Sequence, residues 1–138
     1  MKANPYCFFL LFLVLICPAS FFAEEIVKAP PPVEWTAEEL RQDIAVRKLR
    51  DTGRSSMHAI RLRTAEKAHV HDAHDVSVLM TRGRAKVHTG ERTEEMRKGS
   101  RIFIPRGAVH WAENTGPEPC EVFATFVPSY DGKDYREV

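Results

Sequence analysis

The chain has 138 residues, 43% of them hydrophobic and 28% charged, which suits one folded domain with a modest core and argues against global disorder. Its 20 basic and 19 acidic residues leave a formal net charge of +1. That balance provides no long-range field to recruit nucleic acid or an anionic membrane surface, so neither is expected as a partner.

At the amino terminus Lys2 precedes YCFFLLFLVLIC, an unbroken apolar run from Tyr6 to Cys17. As a helix the run reaches about 18 Å, short of the roughly 30 Å of a bilayer core. It reads as a signal peptide over 1–23, with Ala23 the last residue before cleavage. Phe21 is larger than the residue usually preferred at that position, so an uncleaved membrane anchor is the alternative, while the bulky Ile16 before Cys17 argues against lipid attachment. The expectation is a secreted or periplasmic protein with no membrane contact after cleavage. Loss of 1–23 removes Lys2, leaves equal numbers of acidic and basic residues, and makes Cys120 the only remaining cysteine. Cys120 then has no internal disulfide partner. With no helix start or flanking base to activate it, it reads as a small buried residue of a late strand.

Residues 24–35 contain three consecutive prolines and form an extended tether. Thr36 and Glu39 have the spacing of a capping box, and Leu40, Ile44 and Ala45 fall on one helical face, so a short amphipathic α-helix over 37–50, within a segment 36–53, is predicted. From residue 54 to 138 the period changes to two. His58, Ile60 and Leu62 alternate with Arg61 and Arg63; Val76, Val78 and Met80 alternate with Asp75, Ser77 and Leu79; Ala85 and Val87 alternate with Arg84, Lys86 and His88. RIFIP, VHWAEN and EVFATFV follow, punctuated by glycines. Short strands with closely spaced turns predict an all-β, antiparallel sandwich or barrel.

The stretch AEKAHVHDAHD, residues 65–75, holds three of the six histidines. On a strand, His69 and His71 share a face with β-carbons about 7 Å apart, within reach of one first-row metal ion. Further on, GSRIFIPRGAVHWAEN spaces Gly99, Pro105, Gly107, His110 and Asn114 so that a strand ends in a tight bend and His110 opens the next one. This segment resembles the second motif of the cupin family, G-x5-P-x-G-x2-H-x3-N, without gap or substitution. The first cupin motif, G-x5-H-x-H-x3 or 4-E-x6-G, is matched by His69, His71, Asp75 and Gly83, with Arg63 in place of the leading glycine, aspartate in place of glutamate, and one extra residue before Gly83. The resemblance spans roughly 55–128 and implies a single-domain jelly-roll β-barrel, commonly a homodimer. It also implies a divalent transition metal (Fe, Mn, Ni, Cu or Zn) held by His69, His71, Asp75 and His110. The extra residue reverses strand parity: counted back from Gly83, the carboxylate position falls on Val76, and His74, of the same parity, is the alternative to Asp75. A bulge between 75 and 83 would restore Asp75. His58 is expected to be a satisfied core histidine, His88 to lie on a solvated face, and Trp111 to pack outside the cavity.

Two functions remain open at this level. One is a secreted metal-dependent enzyme of dioxygenase, isomerase or lyase type acting on a small molecule, for which no separate general base is evident. The other is a non-catalytic module holding a small polar ligand or a metal, or an empty cavity whose histidines only hydrogen-bond. The binding module predicts an interior of ligands and apolar groups such as Ile60, Leu62, Ile102 and Ile104, with no spare acid or base.

Overall fold

The strands of the barrel pair as nested partners, from the outermost inward. In the computed structural model, which describes residues 32–138, the strands are β1 (Ile44–Asp51), β2 (Ser56–Leu62), β3 (His69–Val70), β4 (Asp75–Arg82), β5 (Arg84–Thr89), β6 (Arg92–Arg97), β7 (Arg101–Ile104), β8 (His110–Asn114), β9 (Cys120–Val127) and β10 (Arg136–Glu137). Antiparallel partners nest: β2 with β9, β3 with β8, β4 with β7 and β5 with β6. Alternate pairs go to opposite sheets, which gives the orders β1-β2-β9-β4-β7 and β10-β3-β8-β5-β6. This is the jelly roll that the alternating pattern and the family resemblance imply. The signal segment 1–23 and the tether as far as residue 31 lie outside the described residues.

Period-two alternation sets the interior. On β4, Val76 and Met80 are buried while Ser77 is exposed, and the core gathers them with Leu62, Val87, Ile104 and Phe126 from both sheets. The β4–β9 register shifts between Met80 and Arg82, a bulge that turns the chain toward β5. Gly83 follows with φ +78°, and a Cβ there would meet the Cys120 backbone and side chain at 2.9 Å, so the turn admits only glycine.

The α-helix predicted over 37–50 is corrected. The capping box does form, with Thr36 N–H donating to Glu39 Oε2 at 2.7 Å and Glu39 N–H donating to Thr36 Oγ1 at 3.2 Å. It caps only a 3-10 turn, Glu39–Arg41, after which Gln42 is extended. Residues 44–51 are instead edge strand β1, registered against β2 from Ile44↔Leu62 onward. The physical reason is which face is buried. The predicted helical stripe would cover Leu40 and Ile44, but these remain exposed, whereas Ala45, fully buried opposite Arg61, marks a period of two. Pairing with an open sheet edge overrides the helical pattern of a segment whose Ile44 and Val46 are β-branched.

Candidate functional site

Strand pairing brings the histidines together. His69 opens β3 directly opposite His110 at the start of β8, and His71 follows two residues later on the same face. The turn Pro105–Arg106–Gly107 is tied to this strand by the Gly107 N–H, which donates to the His71 carbonyl at 2.8 Å. Ring centroids lie 4.3 Å apart for His69 and His110, 5.1 Å for His69 and His71, and 5.4 Å for His71 and His110. One ring nitrogen from each lies within 4.8 Å of the others, and all three residues are buried.

Each ring is oriented by its second nitrogen. His69 Nδ1 donates to the Lys67 carbonyl at 2.8 Å, His110 Nδ1 to the Ala108 carbonyl at 2.9 Å, and His71 Nδ1 to the Asp134 carbonyl. A carbonyl can only accept, so each Nδ1 carries the proton and each Nε2 keeps a free lone pair. Burial lowers the pKa of all three, that of His110 to about 4, which keeps the rings neutral at physiological pH. Three neutral, preoriented imidazoles aimed at one point form the donor set that a divalent transition metal requires, and they fit it.

The two candidates for a fourth ligand are placed elsewhere. Asp75 turns away from the cavity and binds Arg106, whose Nη2 donates to Oδ2 at 2.8 Å and whose backbone N–H donates to Oδ1 at 2.9 Å. The Arg106 guanidinium holds the Asp75 carboxyl down at about 2. His74 is buried, but its Nδ1 lies 2.5 Å from Asp134 Oδ2 and its Nε2 3.3 Å from the Ser129 carbonyl. Both ring nitrogens thus face oxygens outside the three-histidine cluster. The bulge between Met80 and Arg82 leaves the preceding alternation intact, with Val76, Val78 and Met80 all lining the cavity. The inward position is Val76.

The carboxy-terminal segment packs over this end of the barrel. β10 pairs with β3, Tyr135 stacks on His69 at 4.4 Å, and the Asp134 carboxylate accepts from the Asp72 and Ala73 amides at 3.0 and 2.9 Å. The other singled-out side chains are structural. His58 Nε2 lies 2.9 Å from Ser56 Oγ inside the barrel, His88 and Trp111 stack at 4.4 Å, and the buried Cys120 thiol is pushed up to about 11, chiefly by desolvation.

Behind the histidines the two sheets enclose a cavity of about 90 Å³, lined chiefly by apolar groups such as Val76, Met80, Ile104 and Phe126. That is room for about six waters or a small organic molecule. Glu66 also lines it, a residue that strand parity had not singled out. The available signal was isolation: Glu66 is the one acidic residue between Asp51 and Asp72. Part of the residue stays exposed, but its carboxyl is enclosed, and burial pushes its pKa up to about 7 against a single hydrogen bond from the Ala112 amide.

The comparisons agree with this architecture. A cupin domain profile matches residues 60–126. An uncharacterized protein of Aquifex aeolicus (strain VF5) is 36% identical over 111 residues, covering 80% of this chain and 85% of that protein. Among solved structures, KdgF from Halomonas sp. superposes with a TM-score of 0.63 at 19% identity, over 72% of this chain and 91% of that one. The polyketide cyclase RemF from Streptomyces resistomycificus gives 0.59 at 23%, over 70% and 72%. At these identities the structures bear on the fold alone. With a cupin profile over the barrel and a jelly roll whose strands converge three histidines, the chain belongs to the cupin superfamily.

Proposed function

We propose that this chain is a metal-binding cupin that acts as a small-molecule enzyme, with His69, His71 and His110 holding one divalent transition-metal ion. The observation that carries the reading is the common orientation of the three rings, each with Nδ1–H spent on a backbone carbonyl and Nε2 left free. With Val76 at the inward β4 position, the ligand set is three imidazoles. Such a set suits iron, nickel, copper or zinc better than manganese, which favours oxygen donors. When bound, the ion supplies Lewis-acid polarisation of a substrate oxygen or, if it is iron, oxygen activation. The chain's own groups orient the ligands, exclude water through the apolar walls, and present Glu66 as an ionisable group. The presence of that carboxyl favours an enzyme over a passive module, whose cavity would hold no spare acid or base. Secretion after removal of 1–23 belongs to the same reading. So does a homodimer, to which edge strand β1 offers the exposed Ile44, Val46 and Leu49.

Metal analysis of untagged protein tests the site. About one equivalent is expected for the wild type, and none for His69→Ala or His110→Ala. Metal content that survives both changes overturns the reading.

A further inference from the structure

Among the described residues Glu66 is the one carboxyl group that lines the cavity, and holding a metal at the histidines does not use it. Its position is fixed twice by the same neighbour: the Glu66 N–H donates to the Ala112 carbonyl at 2.9 Å, and the Ala112 N–H donates back to Oε2 at 3.0 Å. Oε1 has no hydrogen-bond partner among the described residues. Ala112 follows His110 by two residues on β8, so the amide that anchors the carboxyl lies about 7 Å along the strand from that of His110. The ligand atoms that lie within 4.8 Å of one another come from the three histidines and do not include Glu66. The cavity therefore has two chemically distinct ends, separated by about the length of a few bonded heavy atoms.

The walls constrain what lies between. Among the described residues no lysine or arginine lines the cavity, so away from the histidine end a phosphate or second carboxylate would meet no side-chain counter-charge. Apolar groups cover the span between the ends. The occupant that fits is a small uncharged molecule with one polar atom for the histidine end and a carbon chain against the walls.

We propose that Glu66 is the proton-transferring residue of this cavity, and that its substrate is a small uncharged carbonyl compound with its oxygen at the histidine cluster and an adjacent C–H toward Glu66. This rests on the metal-site reading above. Glu66 as carboxylate takes the proton from the carbon next to the carbonyl. The C–H electron pair becomes the new C=C bond, the carbonyl π pair moves onto oxygen at the histidine end, and Glu66 becomes a neutral carboxyl. The neutral Glu66 carboxyl exchanges its proton with solvent, and return of a proton or deuteron from it to carbon restores the carbonyl compound, while delivery elsewhere on the conjugated fragment gives an isomer. The protons and electrons balance with no oxidant or reductant. Burial leaves both forms of the carboxyl populated near neutrality, as a group that takes and gives back a proton requires. The neighbouring ionisable groups are Cys120 and Tyr135, both raised mainly by burial and therefore neutral, so neither competes as a base.

The test is hydrogen–deuterium exchange, followed by NMR in D2O, at the carbons flanking the carbonyl of hydroxyacetone, 2-butanone and cyclopentanone, with the full folded protein loaded with zinc. The wild type is expected to exchange at least one of the three well above the protein-free rate. Glu66→Gln keeps the size and the acceptor for the Ala112 amide, and it should lose 100-fold or more of that exchange, with Glu66→Asp in between. Two further readouts accompany the rates. Zinc stoichiometry should be unchanged in Glu66→Gln, and difference infrared spectra of the wild type should show a neutral-carboxyl band that moves on 2-butanone binding and is missing in Glu66→Gln. Exchange unaffected by Glu66→Gln, no exchange of any probe by zinc-loaded wild type, or loss of zinc in Glu66→Gln each overturns the proposal. Loss of the metal-site reading is told apart from these outcomes because the wild type then binds no zinc.

Discussion

Two carboxyl groups flank the histidine strand, Glu66 before it and Asp75 after it, and their surroundings drive them in opposite directions. Glu66 is enclosed with one amide donor and no cation, and its pKa rises to about 7. Asp75 sits at the rim against the Arg106 guanidinium and falls to about 2. The histidines divide the same way. His71 spends one nitrogen on a backbone carbonyl and keeps the other free, whereas His74, three residues on and equally buried, has an acceptor at each nitrogen. Closeness in sequence to a metal motif therefore says little about a side chain's chemistry. What matters is whether its polar atoms are already satisfied by the fold.

The largest effect should come from pushing that contrast to its limit with alanine at each kind of histidine. His110→Ala removes one of three converging nitrogens, and zinc affinity measured by competition with a chelator should fall on the order of 1,000-fold, about 4 kcal/mol. His74→Ala should leave zinc stoichiometry intact. Its cost appears in denaturant unfolding of the metal-free protein, about 1–3 kcal/mol, because the Asp134 carboxylate loses its buried His74 partner while keeping its hydrogen bonds from the Asp72 and Ala73 amides. If instead His74→Ala abolishes zinc binding and leaves stability unchanged, the division between the two regions fails.

How far these regions could be read in advance depends on the range of the forces that build them. His69, His71 and His110 were legible because a period of two and a proline–glycine bend are local features, and the nested pairing that joins them follows from the jelly roll. The Asp75 and His74 alternatives could not be resolved, because their fate hangs on Arg106 and Asp134, partners 31 and 60 residues away. The tail's place over the histidine end was equally beyond local pattern, since β10 pairs with β3 from the far end of the chain. Glu66 escaped notice for a different reason. It lies in the irregular approach to β3, where alternation carries no information, and its orientation is set by one cross-strand exchange with Ala112. The helix misreading over 37–50 has the same origin: the capping box was real, but a neighbouring sheet edge decided what followed it.

A pH series on the metal-free protein sharpens the carboxyl comparison. Glu66 has a folded pKa above its unfolded value of about 4.5, so the folded state binds the extra proton. The sign follows from linkage: stability is greatest below about pH 4.5 for this group and declines as pH rises through 7. Taken as the difference between wild type and Glu66→Gln, in which the opposite contribution of the buried histidines cancels, the expected loss is about 3 kcal/mol between pH 4 and 8, read from urea midpoints. Glu66→Gln should keep only the histidines' contribution, which rises with pH. A slope equal to the wild type's would mean that Glu66 is solvated and the cavity is not the enclosed site described above.

The smallest effect belongs to Asp75. Its depressed pKa gives the opposite sign: the contribution is present above about pH 4 and is lost as pH falls through about 2. The pair is exposed on the Arg106 side, and solvent screens it, so little stability is at stake. Asp75→Asn retains a side-chain oxygen to accept from the Arg106 amide, and its Tm at pH 7 should stay within about 2 °C of the wild type. Zinc affinity should also be unchanged, because the inward position on β4 is Val76 and the Asp75 oxygens are held by Arg106. A tenfold or greater loss of zinc affinity in Asp75→Asn would require β4 to rotate or slip when metal binds, bringing the carboxylate inward. In that case the sharp contrast between the two carboxyl groups would hold only for the metal-free barrel.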